Sequence, residues 1–426
     1  MTGALRRTAT GAAALVACMA LTSARTSAHT SAAGARAALT SARTSAAGAR
    51  AATAAAPDVP SARVAGLEQT WETPQGTWAV IAMGHLDSSL NTFWQLLFRP
   101  AGTSRWSLVT PRGVASNGGL SAATGGPAGA VIAGFQPSKH LSYSPLAETT
   151  DEGRHWRAGV LPAALVFAAD AVAVDGRNAI ALVRTAGGAL VRADGSITRW
   201  STAATVASLG STAAGRACKP SALSAVAVAG GVPEVGADCA EPGTVGLFRD
   251  VGGTWVSSAP KVADARTSTL DVVRLWSGPA GTTALIEGSG AGTRSLVVAW
   301  RRSPAGRWAV SAPAAFAGDV LSTATGAAST GAASAGAAST VAASSVAVVT
   351  SAGWHAHAVE SIAGPGARWR SDRTPAGTQE VAFAGGGLDA LVVHASRVSV
   401  WRLGASGRWH DTPVQVTVPI VYGSST

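Results

Sequence analysis

The chain has 426 residues, 47% of them hydrophobic and 13% charged, with a formal net charge of +10. That much apolar material supports one large repeat fold or two to three domains. The charge is mostly an arm effect: residues 1–63 carry Arg6, Arg7, Arg25, Arg36, Arg43, Arg50 and Arg63 against Asp58, and the remainder of the chain adds only about +4, with lysine limited to Lys139, Lys219 and Lys261. No basic run with interleaved aromatics occurs, which argues against a nucleic-acid partner.

The first 21 residues read as an export signal. Arg6 and Arg7 form a positive start, and GAAALVACMAL (11–21) is an apolar core too short to span a bilayer. Leu15 to Cys18, LVAC, resembles the bacterial lipobox, whose cysteine is lipidated; the alternative is an ordinary cleaved signal that discards Cys18. Both readings place the mature protein outside the cytoplasm, with a membrane partner only through the anchor. Residues 22–62 are dominated by Ala, Ser, Thr, Gly and Arg, with ALTSAR repeated at 20 and 38. Such a stretch cannot bury enough surface to offset chain entropy, so a flexible tether is expected. Residues 63–426 form the folded domain, and a second low-complexity stretch at 322–345 reads as a long surface loop.

Within the domain the aromatic residues are unevenly chosen, with 14 Trp against 7 Phe and 2 Tyr. Seven of the Trp sit in similar surroundings: SRWSLVTP (Trp106), RHWRAGVLP (Trp156), TRWSTAATV (Trp200), GTWVSSAP (Trp255), GRWAVSAP (Trp308), ARWRSDRTP (Trp369) and GRWHDTP (Trp409). The intervals are 50, 44, 55, 53, 61 and 40 residues, and the longest carries the low-complexity stretch. Each interval holds short apolar runs divided by Gly, Pro, Asp and Asn, without a helical period. Four short strands per 40–50 residues is the pattern of a propeller blade, which must stack on its neighbours to bury its faces. The expected fold is therefore all-β: a seven-bladed β-propeller of four-stranded antiparallel blades over 63–426. Six or eight blades is the alternative, because the units are degenerate.

Cysteine arithmetic fits an exported chain. With Cys18 in the signal, Cys218 and Cys239 remain as a pair flanking two apolar runs around Gly-Gly-Val-Pro. A disulfide across that hairpin is expected in an oxidising compartment; two buried thiols are the alternative.

FRDVGGTW (248–255) and TTDEGRHW (149–156) share D-x-G-x-x-W in register. The first resembles the Asp-box, or BNR repeat, of sialidase-like propellers, with Asp250, Gly252, Thr254 and Trp255 in the hallmark places. The second keeps Asp151, Gly153 and Trp156 and has His155 in the Thr place. LVRADGSITRW keeps Asp194 and Trp200 with altered spacing, and FRPAGTSRW, WRRSPAGRW and WRLGASGRW have lost the Asp. Turn chemistry gives these residues structural work: the carboxylate accepts turn amides, the glycine supplies a positive φ, and the Trp fills the wedge between blades. The resemblance implies that the boxes lie away from the ligand-binding face.

The resemblance also raises glycoside hydrolysis. Sialidase chemistry uses an arginine triad, a Tyr nucleophile with a Glu, and an Asp acid/base. Here Phe98-Arg99-Pro100 echoes a sialidase signature but is better explained as part of the repeat, and neither Tyr143 nor Tyr422 has an evident Glu partner. A two-carboxylate glycosidase could draw on Glu287, Glu360, Glu380, Asp170, Asp271 or Asp319. His355 and His357 alternate in GWHAHAVE and could chelate a metal with Glu360, but solvent-facing histidines are the plainer reading. G-x-G-x-G at 288–292 reads as a turn between strands, and no G-x-S-x-G, Walker loop, H-E-x-x-H or C-x-x-C occurs. The expectation is a monomeric, exported, non-catalytic module without metal or cofactor that binds an extracellular glycan, peptide or protein. A secreted Asp-box glycoside hydrolase is the second hypothesis.

Overall fold

The computed structural model describes residues 64–417, apart from several loops, the longest being 112–119 and 328–343. Signal, lipobox Cys18, tether, Asp170, Asp194 and Tyr422 lie outside the described residues. Seven sheets of antiparallel strands follow one another along the chain, at 64–108, 120–161, 172–205, 220–257, 269–316, 320–373 and 378–412. Each contains four strands in sequence order, and these are blades 1 to 7. Blade 5 adds Ala314–Phe316 beside its third strand, and blade 1 adds Val416–Thr417, paired parallel to its outer strand.

The alternation of a β-strand explains why the blade strands read as unbroken apolar runs. Successive side chains leave opposite faces of a sheet, and here both faces meet another blade. In ALIE of blade 5, Ala284 and Ile286 enter the cluster shared with blade 4, whereas Leu285 enters the cluster shared with blade 6. Six such clusters join blades 1 and 2, 2 and 3, and so on to 6 and 7. Inner strands touch between blades 7 and 1, which closes the ring.

The box Trp is a repeated interblade tie. The indole N–H of Trp255 donates to Ala203 O of blade 3 (3.1 Å), and that of Trp308 to Ser258 O at the end of blade 4 (2.6 Å). Trp369 donates to Ala312 O (3.0 Å) and Trp409 to Arg373 O (2.9 Å) in the same sense. A buried ion pair reinforces one junction: Glu234 of blade 4 meets Arg301 of blade 5, whose guanidinium lies 4.4 Å from the Trp308 ring.

Two departures from the sequence reading stand out. Between blades 3 and 4 the chain forms two single-turn-scale helices, α1 (Val206–Ser211) and α2 (Ala213–Cys218). Thr205 and Ser208 cap α1 reciprocally, and the Thr212 hydroxyl accepts the Gly215 amide at the start of α2. Second, the stretch 322–345 is not all loop. Ser322–Ala327 belongs to the inner strand Val320–Ala327 of blade 6, and Ser344 and Ser345 open the next strand. Small side chains suit an inner strand, where blades converge. At Gly326 a Cβ would lie 2.3 Å from Phe383 Cβ of blade 7, so only glycine fits there.

Candidate functional site

The two box turns join the third and fourth strands of blades 2 and 4. In blade 4, Asp250 Oδ1 accepts the Gly253 amide at 2.7 Å, and Arg192 of blade 3 lies 3.6 Å from Oδ2. Gly252 and Gly253 have φ of 59° and 86°, and Thr254 and Trp255 open the outer strand. In blade 2, Asp151 Oδ1 accepts the His155 amide (2.9 Å) and the Thr149 hydroxyl (2.8 Å), while Oδ2 sits 2.6 Å from His155 Nδ1. The His155 amide, then its ring, holds the Asp151 carboxyl well below the usual carboxylate range. Gly153 has φ of 81°, and a Cβ there would press on Val109 of blade 1 at 2.6 Å. Trp156 packs with Val109 against the cluster joining blades 1 and 2.

These turns share one end of the ring with the hairpins that leave the inner strands. Toward that end a central cavity is lined by four inner strands, through Ala122 to Thr124, Val172 to Val174, Val226 and Leu275 to Ser277. The lining is mostly small and apolar.

The opposite end carries the concentrated charge. Asp238 is the last residue but one of the second strand of blade 4, Val232–Cys239, and Asp271 is the third residue of the inner strand of blade 5, Thr269–Gly278. Both are half-buried, and desolvation raises the pKa of each; the neighbouring Asp271 charge raises Asp238 further, with the Ser224 hydroxyl opposing. Neither has a cationic partner among the described residues. Asp271 lies opposite Glu287 in register, and Glu287 Oε1 is 2.7 Å from the Arg294 guanidinium. Arg294 also reaches Asp319 Oδ1 at 2.6 Å, before blade 6. The sequence picked out Asp271, Glu287 and Asp319, and the structure brings these three together. It missed Asp238, whose only local signal is its place beside Cys239. That cysteine is bonded to Cys218, with Cα atoms 4.9 Å apart, so the expected disulfide closes the open end of the same hairpin.

The remaining candidates lie elsewhere. Glu360 is buried in blade 6 and accepts the Ser371 hydroxyl at 2.7 Å. His355 and His357 lie in the same strand, His355–Ile362, but a register shift between Ala356 and Ala358 makes His357 the extra residue. No group of three His, Cys, Asp or Glu able to hold a metal occurs among the described residues. Glu380 lies in the inner strand of blade 7. Tyr143 was expected on a third strand; it precedes Ser144–Thr149 and is 41% exposed.

No protein-family model matches the sequence, and neither does any curated protein. Similar solved structures include a provisional 6-phosphogluconolactonase from Bacteroides uniformis, at 13% identity over 79% of this chain and 95% of that one, with a TM-score of 0.47. The β-propeller domain of the Trilobed protease from Pyrococcus furiosus is similar at 8% identity, over 85% and 99%, with a TM-score of 0.45. A polysaccharide lyase, ulvan lyase, is similar at 15% identity, over 71% and 80%, with a TM-score of 0.38.

Proposed function

We propose that this chain is an exported, non-catalytic propeller that binds an extracellular glycan, peptide or protein at the end of the ring away from the box turns. The observation that carries this reading is the gathering of Asp238, Asp271, Glu287, Arg294 and Asp319 at that end, whereas the central cavity toward the box end, lined by small residues with Leu275 and Trp276, holds no converging set of arginines and acids. Export is supported by the Cys218–Cys239 disulfide together with the signal-like N-terminus. No helix among the described residues is long and apolar enough to cross a membrane. Asp151 and Asp250 act as turn fasteners, as their amide contacts support.

One observation favours the second reading, glycoside hydrolysis. Asp238 and Asp271 are neighbouring acids of raised pKa, and such an enzyme needs one protonated carboxyl beside an ionised one. A panel of chromogenic glycosides separates the two. The exported chain should turn over none of them; turnover that disappears in Asp238→Asn or Asp271→Asn establishes the hydrolase. On glycan and peptide arrays, binding lost in Asp271→Asn but kept in Asp250→Ala would support the first reading. Loss in Asp250→Ala at unchanged melting temperature would move the ligand to the box end.

A further inference from the structure

At the box end, blades 2 and 3 part beyond the apolar cluster that joins them. They leave a cleft of about 740 Å³, within the usual range for small-ligand sites. Its floor is the top of the apolar cluster between the blades, where Ile132 of blade 2 and Val174 and Ile197 of blade 3 are buried. Its outer wall is polar. Glu148 and Arg157 from adjacent strands of blade 2 form an ion pair there, and Asp151 with His155 forms a hydrogen-bonded pair. Ser196, on the facing turn of blade 3, brings a hydroxyl.

The bonding of these groups limits what can enter. Arg157 gives Nε and Nη2 to Glu148 Oε2, which leaves Nη1 as a donor and Oε1 as an acceptor. Asp151 takes His155 by Nδ1, which leaves Nε2 of a side chain that is 90% exposed. The wall therefore offers alternating donors and acceptors, with the Arg157 guanidinium already paired with Glu148 and the Asp151 carboxylate already bonded to His155. An anionic ligand would meet Glu148 and Asp151, and a cationic one would compete with Arg157 for Glu148. A neutral ligand rich in hydroxyls can use the outer bonds of both pairs and break neither, because each hydroxyl donates and accepts.

We infer that the cleft between blades 2 and 3 is a binding site for a neutral saccharide, read by His155 and the Glu148–Arg157 pair. The site is at the opposite end of the ring from Asp238 and Asp271, so it stands or falls independently of them. His155 occupies the place that Thr254 holds in blade 4, where the turn forms without an imidazole. His155→Thr therefore removes the recognition group while keeping a residue suited to that turn.

The test is titration of the exported chain with glucose, galactose, mannose, N-acetylglucosamine and their β-linked disaccharides, followed by saturation-transfer NMR and calorimetry. Glucose 6-phosphate serves as the anionic comparison. At least one neutral sugar should bind. His155→Thr and Ser196→Trp, which obstructs the facing turn, should each weaken it about tenfold or more at unchanged melting temperature, the loss expected for one or two hydrogen bonds. Asp271→Asn should leave that affinity unchanged. No binding by any neutral sugar overturns the inference. So does tighter binding of glucose 6-phosphate, or binding that neither His155→Thr nor Ser196→Trp weakens. If His155→Thr lowers the melting temperature, Ser196→Trp alone decides.

Discussion

Asp250 shows how much one carboxylate does in a tight turn. It accepts the Gly253 amide at 2.7 Å and faces Arg192 of the preceding blade. Asp250→Ala leaves that amide without its partner and should lower stability by about 1 kcal/mol, read as a lower urea midpoint at unchanged m. Asp238 should behave in the opposite way. Its folded pKa is raised above the ordinary 3.8 by desolvation and then by Asp271. Between 3.8 and the folded value, the native state holds a proton that the unfolded chain has released. The stabilising contribution is full below that window and is lost as pH rises through the folded pKa, so at neutral pH the ionised pair is a cost. Asp238→Asn should raise the urea midpoint at pH 7, and the gain should fade as the pH is lowered toward the ordinary carboxylate value. An equal gain at both pH values would show that the effect is not electrostatic. Retained acids of this kind concentrate at functional sites.

At the scale of elements, the sequence was most legible where a residue type has one job. The Trp periodicity marked the outer strands because a large side chain is needed between blades, and in blades 4 to 7 its N–H also reaches the preceding blade. The cysteine pair was legible because the intervening run is a hairpin, and Pro220 indeed lies opposite Cys239. Replacing both cysteines by serine should cost about 3 kcal/mol for a loop with a separation of 21 residues, in the chain-entropy treatment. Chemical denaturation of the reduced and oxidised protein measures it. Where side chains are small, pattern failed. VASLGS and AAGRAC show no 3.6-residue apolar period, and Thr205 with Ser208 is a capping box without the usual Glu or Gln. STATGA looks like low complexity, yet it forms a strand because a converging blade leaves room for nothing larger. The acidic site was half legible for a different reason. Asp238 meets Asp271 only because two blades stack, and stacking is invisible in a local window.

For the whole ring, the junction between blades 7 and 1 is the one at which the two ends of the folded chain meet. The other six junctions are sealed by shared apolar clusters, and here the inner strands Val64–Thr73 and Thr378–Ala384 meet. All four main strands of every blade come from one continuous segment, and the added strand Val416–Thr417 brings the other end of the folded chain onto blade 1. Closure also involves the chain after blade 7, which pairs Val416 with Trp106 and Thr417 with Ser107 on the outer strand of blade 1. This parallel clasp crosses the one junction that lacks covalent continuity. Deleting residues 414–426 removes it and should lower stability by about 1–2 kcal/mol, the worth of one or two backbone hydrogen bonds. The loss should also be local. Amide exchange should quicken in the inner strands Val64–Thr73 and Thr378–Ala384, which face each other at the junction, while Val172–Asp175 and Pro220–Ala229 keep their protection. Uniform quickening through all seven blades would mean that the ring opens only by unfolding as a unit, and unchanged exchange at the junction would mean that the inner strands close it without the clasp.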